Sequence, residues 1–150
     1  MQIVRAKPAD AAVLTDIAFT AKRHWGYPEK WMENWRDALT IAPEFIASHE
    51  VYSAVAEGRI AGFYALGGPT DRVQLLHLWV LPAAMGRGVG RALFIHAIAT
   101  ATELGCREME IESDPNAEGF YQHMGAQRVG TNCLVLDGHS RELPVLIFKF

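Results

Sequence analysis

Seven residues in mid-chain, Met85-Gly86-Arg87-Gly88-Val89-Gly90-Arg91, carry the clearest chemical signal. Glycines at alternating positions let a backbone approach a ligand closely and turn its N–H groups toward one spot. A helix starting there adds unpaired N–H donors and the positive end of its dipole. The combination suits an anion, most naturally phosphate, and Arg87 and Arg91 add charge beside it. The plain alternative is a tight strand–helix turn that binds nothing. The spacing is G-x-G-x-G, so the G-x-G-x-x-G of a dinucleotide fold does not fit, and the Gly-Lys-Ser/Thr ending of a P-loop is absent.

Other residue types stand out more weakly. His77 lies in an apolar run, and its ordinary pKa of about 6.5 suits a general base. A histidine in such a run also serves as a satisfied core residue. Glu110 and Glu112 have the same parity on the next strand and share one face. Residues 24–35 hold three of the four tryptophans. Trp31 and Trp35 are one helical turn apart. Such aromatic walls, with Glu29 or Glu33 nearby, suit a cationic ligand through cation–π attraction. They suit equally the anchoring of helices to a sheet. His24, His49, His96, His123 and His139 show no metal-ligand spacing, so no metal is expected.

These residues need elements to position them. Residues 2–6 read as a strand. Pro8 opens a helix with an apolar face of Val13, Leu14, Ile17, Ala18 and Ala21, ending near Gly26. Pro28 starts a second helix through about Leu39, which Pro43 keeps from running on. Residues 51–57 and 60–67 form a hairpin around Glu57-Gly58-Arg59. A turn at Gly67-Gly68-Pro69-Thr70-Asp71 follows. Residues 73–81 are the most apolar run and predict a central strand buried on both faces. The glycine cluster then leads into a helix over 88–104, closed by Gly105. Residues 107–113 are a strand. Asp114-Pro115 opens a short helix through about Met124, closed by Gly125. Strands at 126–136 and 143–150 are joined through Asp137-Gly138-His139-Ser140. The order β-α-α-β-β-β-α-β-α-β-β predicts an α/β fold: a mixed sheet with helices on both faces.

The 150 residues fit one domain, 1–150, with room for a core. Half of the residues are hydrophobic and 21% are charged, an ordinary soluble globular composition. The net charge of -3 weighs against a nucleic-acid partner while allowing a local basic pocket. No apolar stretch approaches the ~20 residues of a membrane span, so no membrane partner is expected. Cys106 and Cys133 are too few for a disulfide framework and fit no zinc pattern. Together with an N-terminus lacking signal-peptide character, they point to the cytoplasm.

Two stretches resemble one known family. Leu78-Trp79-Val80-Leu81-Pro82 followed by Gly86-Arg87-Gly88-Val89-Gly90-Arg91-Ala92-Leu93 resembles motif A of the GNAT superfamily of acetyl-CoA-dependent N-acetyltransferases. The family pattern is Gln/Arg-x-x-Gly-x-Gly/Ala; Gly88 and Gly90 match, whereas Met85 occupies the leading polar position. Asp114-Pro115-Asn116-Ala117-Glu118-Gly119-Phe120-Tyr121-Gln122-His123-Met124-Gly125-Ala126 resembles motif B, with Ala126 in place of a final aromatic. The resemblance covers about 51–136 and the order of elements throughout.

It implies a GNAT-like fold with a V-shaped split between the strands at 73–81 and 107–113. The pantetheine arm of acetyl-CoA would pair there with the main chain of Leu78, Trp79 and Val80, and the pyrophosphate would sit over 86–91. A main-chain N–H near Val80 would meet the acetyl carbonyl. Tyr121 matches the family's general acid for the leaving thiolate, and Asn116 its polar contact to the cofactor. The glutamate that some members carry on the central strand falls near Gln74, which leaves His77, Glu110, Glu112 or positioned water to deprotonate the amine. The family's first helix-loop-helix lines the acceptor pocket, which nominates Trp25, Tyr27 and Trp31. The segment is similar to small bacterial acetyltransferases. The implied reaction is direct transfer from acetyl-CoA to a primary amine of a small molecule or peptide in a ternary complex. Neither cysteine falls in either motif, so no acyl carrier is expected. A CoA-binding or sensing module of the same fold, without turnover, is the alternative, and a longer acyl chain is a third reading. Sheet edges and the apolar strand 143–150 are the expected surfaces for a homodimer.

Overall fold

The computed structural model describes residues 1–68 and 71–150. The expected turn at 67–71 includes Pro69 and Thr70, which lie outside the described residues. The strands are β1 (Gln2–Arg5), β2 (Glu50–Ala56), β3 (Arg59–Gly67), β4 (Arg72–Val80), β5 (Glu108–Glu112), β6 (Gln127–Leu136) and β7 (His139–Lys149). The helices are α1 (Ala11–Arg23), α2 (Glu29–Asn34), α3 (Arg36–Leu39), α4 (Pro43–Ser48), α5 (Val89–Glu103) and α6 (Glu118–His123). The seven strands are ordered β1-β2-β3-β4-β5-β7-β6. Pairing is antiparallel for β1/β2, β2/β3, β5/β7 and β6/β7, and parallel for β4/β5. The mixed α/β sheet expected from the element order is therefore the one observed.

The chain divides into two compact units. One comprises Met1–Leu66 and Leu76–Ala97, the other Gly67–Leu75 and Ile98–Phe150. In the first, Leu14, Ile17 and Ala18 of α1 pack with Met32, Leu39, Ile46, Val51, Phe63 and Ala65. Alternate residues of β3 turn toward α5: Tyr64 is fully buried and its hydroxyl is 2.7 Å from Nδ1 of His96. The strand covered on both faces is thus β3. The expectation that 73–81 would be the doubly buried strand is corrected. Over Arg72–Leu76 burial alternates, with Val73 and Leu75 buried and Gln74 and Leu76 exposed. From His77 to Val80 every residue is half-buried. In the second unit, Met109 and Ile111 of β5, Leu146 of β7 and Tyr121 of α6 are buried.

Three further boundaries differ from expectation. The helix expected over 28–39 is two, broken at Trp35, whose ring is turned onto Lys22. Tertiary packing of one large aromatic there outweighs local helix propensity. Pro43 starts α4 rather than merely ending the previous helix, because proline at the first helical position loses no hydrogen bond. Arg5 donates to the carbonyls of Ile46 at 3.2 Å and His49 at 2.5 Å, completing the C-terminal end of α4. Finally, β7 begins at His139. Asp137 and Gly138 both have positive φ, +50° and +76°, the two-residue turn that an Asp-Gly pair favours. β7 lies between β5 and β6, so 143–150 is interior to the sheet and the edges are β1 and β6.

Candidate active site

In the first unit, β4 runs into a short 3-10 turn, Pro82–Ala84, and then into the glycine cluster and α5. Gly86 and Gly88 have φ of +75° and +83°, a region that L side chains rarely adopt. A Cβ built at either meets nothing within 4 Å. The glycines are thus required by backbone conformation, and the space above them is open. Val89 is buried and anchors the helix start, while Arg87, Gly88 and Arg91 are exposed. The first bond into the helix runs from the Ala92 N–H to the Gly88 carbonyl at 3.0 Å. The N–H groups of Gly88, Val89, Gly90 and Arg91 precede any intrahelical acceptor, so they form a donor set at the positive end of a fifteen-residue helix. With two exposed arginines beside it, this donor set fits a pyrophosphate.

Upstream on β4, His77 and Trp79 project from one face. The Trp79 indole N–H donates to Nδ1 of His77 at 3.0 Å. His77 also packs against Phe45 at 5.8 Å and Phe63 at 6.0 Å between ring centroids. Burial pulls its pKa down to about 4, and the charge of His49 pushes the same way. The ring is therefore neutral near pH 7, and accepting at Nδ1 places its proton on Nε2. His77 presents a donor, not a base of useful strength.

The aromatic segment encloses a cation that belongs to the chain itself. Lys22, 9% exposed, holds its ammonium 4.2 Å from the Trp35 ring centroid, 5.0 Å from Tyr27 and 6.0 Å from Trp79. Tyr27 stacks on Trp31 at 5.8 Å, and Trp35 stands edge-on to both. The cation–π attraction expected for a ligand is made here by Lys22. Sequence reading missed this lysine, although its place one turn before Gly26 on the buried side of α1 was a usable signal. Trp25 stands apart from the cage, edge-on to His24 at 5.0 Å and exposed. Glu29 is engaged by Arg23 at 3.0 Å.

In the second unit, Asp114 leads into Pro115–Ala117 and α6. Its Oδ1 accepts from the Asn116 backbone N–H at 2.8 Å and from Asn116 Nδ2 at 2.9 Å. The side chain of Asn116 is thus oriented by the residue that caps the turn. Tyr121 is buried, edge-on to Phe120 at 5.2 Å. Burial pushes its phenol well above the usual range, and the Asp114 charge adds to the rise. Glu110 and Glu112 are not free carboxylates: Gln74 donates to Glu110 at 3.2 Å, and Asn132 donates to Glu112 at 2.5 Å. Leu78, Trp79, Val80, residues 86–91, Tyr27 and Trp31 fall in the first unit; Asn116 and Tyr121 fall in the second.

The sequence model described as "Acetyltransferase (GNAT) family" matches residues 13–126. The chain belongs to the GNAT family. An uncharacterised N-acetyltransferase of Mycobacterium tuberculosis is 30% identical over 101 residues, an alignment spanning 65% of this chain and 65% of that one. A GCN5-related N-acetyltransferase structure from Rhodopseudomonas palustris superposes with a TM-score of 0.82 at 22% identity, covering 99% of this chain and 95% of that one. The PaiA N-acetyltransferase of Thermoplasma acidophilum, solved with coenzyme A, gives 0.79 at 19% identity, covering 99% and 98%. At these identities the likeness of the two structures is one of fold.

Proposed function

We propose that residues 1–150 act as one cytoplasmic, acetyl-CoA-dependent N-acetyltransferase domain that transfers an acetyl group directly to a primary amine in a ternary complex. The observation that carries this reading is the donor set at the start of α5, with Gly86 and Gly88 held in a conformation that keeps side chains away from it. Family membership and the coenzyme A bound by the Thermoplasma protein support it.

Acetyl-CoA supplies an activated thioester. The N–H groups of Gly88–Arg91, with Arg87 and Arg91, hold its pyrophosphate, and they replace the polar contact that Met85 cannot make. The main chain of Leu78, Trp79 and Val80 pairs with the pantetheine arm. An N–H near Val80 stabilises the oxyanion that forms as the amine nitrogen bonds to the carbonyl carbon. Asn116, oriented by Asp114, adds a polar contact to the cofactor. As the C–S bond breaks, Tyr121, protonated at neutral pH, donates its phenolic proton toward the thiolate; its raised pKa makes it a weaker acid, so the tyrosine recovers its proton readily afterwards. His77 contributes as a neutral Nε2–H donor, and water takes the ammonium proton. Tyr27, held under the Lys22 ammonium, and Trp31, stacked on Tyr27, form an acceptor wall, and the exposed Trp25 contributes from outside this cage.

A screen of amines tests this directly, covering polyamines, amino acids, aminoglycosides and peptide N-termini. Amine-dependent thiol release from acetyl-CoA is expected for at least one class. Tight CoA binding with no release on any amine would make the chain a binding module instead.

A further inference from the structure

Two donors flank the Trp79 side chain, and all three groups lie within the first unit. One is the Lys22 ammonium, 6.0 Å from the Trp79 ring. The other is His77. Its Nδ1 accepts the Trp79 indole N–H at 3.0 Å, and a ring nitrogen that accepts carries no proton. The imidazole proton is therefore on Nε2, as a directed donor. Among the described residues, no group accepts from that nitrogen. The rings packed around it, Phe45 at 5.8 Å and Phe63 at 6.0 Å between centroids, offer no acceptor. His77 is half-buried, so a ligand that displaces water here must satisfy the N–H itself.

Trp79 is also one of the three β4 residues proposed to pair with the pantetheine arm. An amine that reaches the acetyl carbonyl brings its neighbouring substituents to this wall. A second cation there would meet the like charge of Lys22. A carboxylate would meet a cation and a charge-assisted N–H donor.

We propose that the acceptor is a free α-amino acid, its carboxylate seated at the Lys22–Trp79–His77 wall. The proposal rests on the acetyltransferase reading and names the substrate class of that site. The C–N bond forms, the thioester C–S bond breaks, CoA leaves as the thiol and one proton goes to water. His77 is then a specificity residue: its donor binds the carboxylate, which takes no part in the bond changes. Losing it should raise KM and spare kcat.

The test uses matched sets built on alanine, serine, leucine and phenylalanine, each with its amide and its decarboxylated amine. In thiol release from acetyl-CoA, kcat/KM for the best amino acid should exceed that of both analogues at least ~10-fold, since a site built to hydrogen-bond a group rejects the analogue lacking it. His77→Phe should erase most of this preference through KM, and His77→Gln, which keeps an N–H at the same reach, should restore it. Lys22→Met should reduce the preference for the acid over its amide. An unchanged CoA-induced thermal shift reports that each variant is folded; should one fail to fold, the matched sets on the unmodified chain still decide. Calorimetry of the same compounds on the CoA-loaded chain reads recognition without transfer. Transfer without preference for the carboxylate would overturn the proposal and leave the acetyltransferase reading standing. So would a preference that survives both His77→Phe and Lys22→Met. Selective binding of the amino acid without transfer to any amine would uphold the carboxylate site and overturn the acetyltransferase reading. Neither binding nor transfer of any compound would overturn the proposal.

Discussion

At the scale of single residues, two titratable groups shielded from solvent, one buried and one half-buried, divide the expected chemistry. Tyr121 and His77 both sit where burial disfavours charge, and the consequences are opposite. The Tyr121 phenol stays protonated, as the proposed acid must be; the His77 imidazole, whose conjugate acid has a pKa of about 4, is too weak a base to deprotonate an ammonium. Tyr121→Phe should therefore lower turnover about 100-fold while CoA affinity holds, as read by single-turnover thiol release and calorimetry. Turnover should show no alkaline loss assignable to Tyr121 below the ordinary phenol range. His77 also couples stability to acid. Its folded pKa lies below its unfolded value of 6.5, so the unfolded chain binds the extra proton. Stability is full above that value and falls as pH drops from about 6.5 to about 4, by at most roughly 3 kcal/mol. Melting curves across this window should show the loss, and His77→Gln should flatten it. His77 was visible in the sequence as a lone histidine in an apolar run. Its protonation was not, because it depends on Trp79, Phe45 and His49 closing around it.

At the scale of elements, close backbone approach explains what periodicity left open. Gly62, within β3, faces β4: a Cβ built there would lie 2.6 Å from the Trp79 carbonyl oxygen and 3.2 Å from a Leu93 methyl. The first neighbour is backbone and cannot turn aside. Gly62→Ala should push β3 and β4 apart next to the residues proposed to pair with pantetheine, costing about 3 kcal/mol in urea unfolding and weakening CoA binding. The helical segments over 29–48 follow the same logic. Pro28 and Pro43 marked starts that the sequence made readable, but the break at Trp35 follows from the ammonium of Lys22, which lies thirteen positions earlier. Hairpins were more legible, since Glu57-Gly58 and Asp137-Gly138 carry their conformations in their own residue types.

At the scale of the whole molecule, charge and the proposed CoA site meet at one helix. The chain is net negative, yet Arg87 and Arg91 stand exposed at the start of α5. A ligand that binds only the folded chain stabilises it by mass action. CoA at 100 times its dissociation constant should add about 2.7 kcal/mol, and thermal unfolding with and without CoA reads this directly. Gly88→Ala, strained at positive φ, should lose most of that gain. An absent CoA shift in the unmodified chain would remove the basis of the acetyltransferase reading.

By itself, the sequence determined the seven strands and their order along the chain, the two glycine-turned hairpins and the strand–glycine cluster–helix passage at residues 86–91, since each rests on local rules. Alternation, proline and glycine conformations, and helix starts act over a few residues. Only the tertiary structure decided that Lys22 fills the aromatic cage, that β3 is the strand covered on both faces, and that β6 rather than the C-terminal strand is the open edge. These outcomes depend on which distant segments meet, and burial, hydrogen bonding and charge then act on side chains whose identities alone do not state their neighbours.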